Sequence, residues 1–316
     1  MSQVIYLLLF TDFVLGFGRE VRHRMNIKTS GYRALFFLTV LFFTSLTHAK
    51  SLTILTPEDV LKNLTHYLQG RDVDDIHDFS TQEPRRSVIE VVVLLKALKA
   101  GGLASPPILI PLSSDDDSRA GMILKQKEYL MPSGGYWLST LQHTKNTASQ
   151  LISAPYVSAG EYEVGLYTRV NYPFPGNISD EFVRSLSAVC NKDWHQDIQV
   201  LRSIGIKDLH LVHSHTIMVK MVAFGRADFM LSSFKNIHSD LSYREGNLIL
   251  TPIPNVKVIF PDSRHWYINR DHPQAHQVFQ YLQIGLKKLR ENGVLEQAHI
   301  ASGFSSPKTR DWRILN

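Results

Sequence analysis

Residues 209–233 read LHLVHSHTIMVKMVAFGRADFMLSS. Leu209–His213 reads as a strand. Thr216–Phe224 reads as a short helix stopped by Gly225, since glycine readily takes the left-handed conformation that ends helices. Ala227–Leu231 reads as a second strand. A strand, a helix and a strand in succession form a β-α-β unit, which implies a parallel pair and an α/β architecture.

The same alternation extends in both directions. Upstream, Tyr162–Arg169 is a strand, and Asp193 caps an expected helix with Trp194, Ile198 and Leu201 on one face and Gly205 after it. Further upstream, Leu52–Leu55 is a strand, and Val60, Leu61, Leu64, Tyr67 and Leu68 mark a helical face closed by Gly70. Arg71–Glu83 is a polar, acidic loop. Pro84 opens a helix with Val88, Val91, Val92, Leu95 and Leu98 at helical spacing, ended by Gly101-Gly102. Ile108–Leu112 reads as a buried strand, and Ser113, Ser114 and Asp115–Asp117 start a helix over Arg119–Tyr129. Downstream, Val256–Phe260 is a strand. Val278, Leu282, Leu286 and Leu289 line a final long helix that stops at Gly293.

Composition narrows the class. The 316 residues are 44% hydrophobic and 10% aromatic, too apolar for a disordered chain. A single cysteine excludes an intrachain disulfide and any Cys-rich metal module. The net charge of +5 first suggests a nucleic-acid partner. Three of those units sit in residues 1–49, where Arg19, Arg22, Arg24, Lys28 and Arg33 face Asp12 and Glu20. Within that segment, residues 25–49 (MNIKTSGYRALFFLTVLFFTSLTHA) have the charged, apolar and small-residue order of a secretory signal cleaved near Ala49. Translation from Met25 fits this order; a two-helix hairpin over the first fifty residues is the alternative. The remainder has no block of basic residues, so no nucleic-acid partner is expected.

Four segments then resemble the periplasmic solute-binding proteins of the amino-acid type (family 3). Ile152–Tyr167 (ISAPYVSAGEYEVGLY) is similar to the family's S-x-P-Y and first hinge strand. Met218–Phe229 (MVKMVAFGRADF) resembles its helix and Gly-Arg-x-Asp turn. Trp266–His272 (WYINRDH) resembles the returning hinge strand, and Gln283–Phe304 (QIGLKKLRENGVLEQAHIASGF) the terminal helix pair. The resemblance implies a two-lobed type II periplasmic-binding fold with two hinge crossings and a cleft that closes on a ligand. It implies lobe 1 over residues 50–167, lobe 2 over 168–268, and a return to lobe 1 over 269–316. By the same resemblance the protein is a periplasmic monomer that hands a small solute to a membrane permease (ABC-type) or receptor, uses no cofactor and is not an enzyme. A sensor or interaction protein on the same fold is the alternative.

Carried over by position, the family's ligand-gripping arginine falls within Ser139–Gln150, which holds no Arg; Lys145 supplies the charge there without a two-pronged fork. The family's amine-binding Asp falls on Ser233, which is neutral. A polar or anionic solute other than a standard amino acid follows. The expected ligand-binding residues are Thr56 and Glu58, Ser133, Tyr136 and Trp137, Lys145, Asn191 and Lys192, His215 and Thr216, and Ser233.

Other features read more plainly. His210, His213 and His215 have metal-like spacing, but His213 reads as the end of a strand and His215 as the start of the next helix, so no metal is expected. Asp72, Asp74, Asp75 and Asp78 lack the Gly that a calcium loop needs at its sixth position, where His77 stands. Asp228 reads as the anchor of a turn. Cys190, placed in the turn before the Asp193 helix, reads as a buried thiol. No G-x-S-x-G, H-E-x-x-H, Walker A or G-x-G-x-x-G motif follows residue 50.

Overall fold

The computed structural model describes residues 52–79, 85–112, 129–143, 147–236 and 238–315. The expected signal sequence, Lys145 and nearly all of the helix expected over 119–129 lie outside them. The first lobe runs β1 (Thr53–Pro57), α1 (Glu58–Leu68), α2 (Arg86–Gly101), β2 (Ile108–Leu112), β3 (Met131–Pro132), β4 (Tyr136–Trp137), α3 (Leu138–His143) and β5 (Gln150–Ile152). The second runs β6 (Glu163–Arg169), α4 (Asp180–Ser185), β7 (Ala188–Asn191), α5 (His195–Ser203), β8 (Leu209–Val212), α6 (His215–Ala223), β9 (Phe229–Ser233), β10 (Tyr243–Glu245) and β11 (Leu248–Ile259). The chain then returns through β12 (Arg264–His265) and β13 (Tyr267–Asn269) to α7 (Ala275–Glu291), α8 (Val294–Ser302) and β14 (Arg313–Ile314).

In the first lobe β1 is central, with β2 and β3 both parallel to it. Ile54 and Leu55 are buried on the two faces of β1, as expected of a parallel strand covered on both sides. β2 is different. It lies at the sheet edge with Ile108 half exposed, so Ile108–Leu112 is an edge strand rather than the buried strand its apolar run suggests. The second lobe holds a larger sheet, ordered β10-β11-β6-β9-β7-β8, with β14 added beside β11. This end of the chain therefore touches the second lobe.

The segment 209–233 forms the expected strand, helix and strand, with boundaries shifted by one or two residues. Asp228 ties it down: its carboxylate accepts from the Ser187 N–H and hydroxyl at 2.8 Å each and from the Tyr172 hydroxyl at 2.9 Å. Two expectations here fail. Asp193 does not cap α5; its N–H donates to Asn191 Oδ1 at 2.9 Å, the helix starts at His195, and Trp194 is exposed rather than on the buried face. Cys190 lies inside β7, not in a turn. Its thiol is buried and desolvated, which pushes its pKa up to about 12.

Two crossings, 153–162 and 260–266, join the lobes side by side. They are laced by backbone bonds from Ser153 to Trp266 O (2.9 Å), Tyr156 to Arg264 O (3.1 Å) and Arg264 to Val157 O (2.8 Å). The Ser153 hydroxyl accepts from the Trp266 N–H at 3.1 Å, which gives the serine of S-x-P-Y a structural role.

α7 packs along α2, burying the face of Val278, Leu282, Leu286 and Leu289. Glycines permit the close approach. A Cβ on Gly101 would run into the Tyr281 carbonyl, and one on Gly285 into the Ala97 carbonyl. The acidic loop 72–75 is held by lysines of α2: Lys96 donates to the Val73 carbonyl at 2.6 Å, and Lys99 meets Asp74 at 2.7 Å and Asp72 at 3.2 Å. Among the described residues no helix is long and apolar enough to cross a membrane.

Candidate functional site

The site is built on the two crossings. Tyr162 and Phe260 flank them, and Trp137 at the end of β4 stacks on Phe260 with ring centroids 5.2 Å apart. Beneath this aromatic floor lies a polar junction. Arg264 donates to Tyr156 Oη at 2.7 Å, to the Gly135 carbonyl at 2.6 Å and to Glu90 Oε1 at 3.2 Å. Tyr156 Oη donates to Glu90 Oε1 at 2.9 Å, and the guanidinium lies 4.9 Å over Trp137. Burial drives the Tyr156 pKa well above its usual value. Burial alone would lower that of Arg264, but Tyr156 and Glu90 outweigh it and raise it. A buried charge in this position is fixed by its partners and unavailable to a ligand.

Above the floor the lobes face each other. On one side they touch: Ser139 Oγ, from α3, donates to Asp262 Oδ2 at 2.6 Å and lies 3.2 Å from Gln196 Oε1 of α5. Asp197, in the first turn of α5, is withdrawn from solvent, which pushes its carboxyl up to about 6 against the pull of Arg86 and Arg264. On the other side the lobes part around a cavity of about 1050 Å³. It is lined by the start of α2 (Arg85, Arg86), by α8, by the end of β9 with the residues after it (Ser233, Lys235), and by β10 (Tyr243, Arg244).

The expected site residues separate into groups. Ser233 lines the cavity. His215, at the start of α6, is one contact away: its ring lies 5.6 Å from that of Tyr243 and its Nδ1 is 3.5 Å from Glu245, which also bonds Thr216. Desolvation lowers the His215 pKa despite Glu245. Trp137 belongs to the aromatic floor, while Tyr136 packs edge-on against Tyr267 at 5.2 Å. Thr56 and Ser133 stand at neighbouring strand ends, 0% and 1% exposed, and line no part of the cavity. Neither hydroxyl has a hydrogen-bond partner among the described residues. Glu58 is exposed at the start of α1. Asn191 shapes the turn after β7, accepting from Asp193 N and donating to His213 O at 3.4 Å, while Lys192 pairs with Asp193 at 3.1 Å. None of these last three lines the cavity.

The histidine run does not converge. His210 faces Asp208 at 3.6 Å and His215 faces Glu245. Among the described residues no group of three or more His, Cys, Asp or Glu is placed to hold a metal ion. Sequence reading missed the cavity's cations, Arg85, Arg86, Lys235 and Arg244. The available signals were the Arg-Arg pair just before a helical face and a lysine two residues after Ser233.

No protein-family model and no curated protein matches this sequence. Solved structures do. The probable amino-acid ABC transporter extracellular-binding protein ytmK from Bacillus subtilis is 11% identical, covering 81% of this chain and 100% of its own, with a TM-score of 0.50. The periplasmic VFT2 domain of BvgS from Bordetella pertussis is 15% identical over 81% of this chain and 93% of its own, with a TM-score of 0.49. An ancestral cationic amino acid solute binding protein is 14% identical over 81% of this chain and 96% of its own, at 0.48. The likeness to ytmK, together with two sheets joined by paired crossings, identifies the fold as the two-lobed type II periplasmic-binding fold.

Proposed function

We propose that this chain is a periplasmic solute-binding protein that captures a small polar or anionic solute between its lobes and delivers it to a membrane transporter of the ABC type. The observation that carries this reading is the cavity of about 1050 Å³, whose walls come from both lobes beside the crossings. Small-molecule sites favour such positions and sizes. Closure then follows from a ligand that bonds both walls, since only differential binding to the closed state can shift the equilibrium.

The second reading is a sensor or interaction protein on the same fold. The Ser139–Gln196 contact favours it, because it brings the lobes together without a solute. Both readings share a test. A thermal-shift screen of amino acids, organic acids, sugars and phosphates should raise the unfolding midpoint for at least one class, since a ligand at a hundredfold its Kd stabilises the folded state by about 2.7 kcal/mol. A screen with no shift in any class would remove solute capture and leave the interaction reading.

A further inference from the structure

The cavity carries cations on both walls. Arg85 and Arg86 stand at the start of α2 on the first-lobe side; Lys235 and Arg244 stand on the second-lobe side. Asp78 is the one carboxylate among the described residues that line it. The partners of the guanidinium groups are weak ones. Arg85 meets Asp59 at 3.6 Å with both side chains more than half exposed, a pair worth little in water. Arg86 donates to Tyr162 Oη at 3.3 Å and lies 3.8 Å from Glu90, but that carboxylate already serves Tyr156 and Arg264. Asp197 also acts on Arg86, from the opposite lobe. Arg244 donates to Ser242 Oγ at 3.2 Å, and the Lys235 ammonium lies 5.3 Å over the Tyr243 ring.

Resting on the solute-binding reading above, we infer that the solute is a polyanion: a small molecule with at least two carboxylate or phosphate groups, one held by Arg85 and Arg86 and another by Lys235 and Arg244. Like charges on facing walls repel when the space between them holds only water. A ligand with anionic groups at both ends turns that repulsion into attraction on each wall and so draws the lobes together. A zwitterion or neutral solute satisfies one wall at most. Guanidinium forks suit carboxylate and phosphate oxygens through paired hydrogen bonds. The N-terminal end of α2 adds partial positive charge on the same side as Arg85 and Arg86. The volume admits a tricarboxylate or a sugar phosphate with some water.

The test is calorimetric titration of the full chain with citrate, glucose 6-phosphate, glutamine, arginine and glucose, at low and high salt. The expected result is binding of citrate or glucose 6-phosphate that weakens as salt rises, with the two arms deciding between carboxylate and phosphate. The K235Q/R244Q double variant should bind that anion about tenfold more weakly or worse, with an unchanged circular dichroism spectrum. Should the double variant fail to fold, R85Q on the opposite wall makes the same test. Binding of glutamine, arginine or glucose with both anions silent overturns the polyanion inference and leaves solute capture standing. Silence of all five overturns both. Unchanged anion affinity in a folded variant removes these residues from the site.

Discussion

Arg264 and Arg86 approach the same ring, Phe304, at 5.9 and 5.7 Å, yet the fold uses them in opposite ways. Arg264 is 7% exposed, and its donors are taken up by a tyrosine, a carboxylate and a carbonyl. Arg86 is 43% exposed and shares a carboxylate that Arg264 already holds more closely. The junction thus commits its charges to joining the crossings, while Arg85, Arg86 and Arg244 at the cavity stay exposed. Cost of removal separates the two uses: a fully partnered buried cation cannot be lost without stranding its anion, whereas a half-exposed one can.

The most severe way to probe this difference is Arg264→Met. It leaves buried Glu90 with only the half-exposed Arg86 at 3.8 Å and should cost about 3–5 kcal/mol in urea unfolding. R264M/E90Q should recover much of that loss, because the stranded charge is then gone. Arg244→Gln at the cavity should stay within about 0.5 kcal/mol of the parent. Equal losses from both substitutions would erase the distinction. Tyr156→Phe is gentler. It keeps the ring stacked on Trp266 at 4.1 Å but removes the hydroxyl between Arg264 and Glu90, for an expected loss of about 1–3 kcal/mol by the same measurement.

Acid gives the smallest effect and opposed signs. Burial lowers the pKa of His299, whose Nε2 bonds the Tyr156 carbonyl at 2.7 Å, and also of His215 and His265. A histidine whose folded pKa lies below its unfolded value of about 6.5 binds its proton more readily when unfolded. Its contribution is therefore complete above that pH and is lost as pH falls. Asp197, raised to about 6, runs the other way: the folded state takes up its proton first, so acidification from pH 6 toward 4 stabilises. His299→Gln should flatten the loss of unfolding midpoint between about pH 6.5 and 5, and Asp197→Asn should steepen it.

Much of this architecture was legible where one rule acts alone. The apolar face of α7 follows from spacing, since Val278, Leu282, Leu286 and Leu289 all pack on α2. Asp228 was legible because short acidic side chains anchor turns. By contrast, most of β11 was hidden by Pro252 and Pro254, which argue against a strand interior; the chain accommodates them with an irregularity between Pro252 and Lys257. The capping role expected of Asp193 failed because the helix begins one residue later, with Trp194 in the N-cap position, and the Asp193 carboxylate pairs with Lys192 instead. At the cavity, Ser233, singled out by its place after the Gly-Arg-x-Asp turn, is a lining residue. Arg85, Lys235 and Arg244 were not legible: they belong to three separate elements, carry no shared motif, and meet only once the lobes are assembled.

The tight seating of α7 on α2 at Gly101 and Gly285 has a consequence in time. The two helices are separated in sequence by the whole second lobe, so the first lobe lacks one wall of its core until residues 275–291 are in place. The β6–β9 and β7–β8 pairings close over much shorter stretches of chain. Loop-closure entropy then orders the events, with the second lobe consolidating first and the first lobe completed last. Pulse-labelled hydrogen exchange during refolding should show amides of β6, β7 and β9 protected before those of α2. Simultaneous protection would mean that the two lobes fold as one unit.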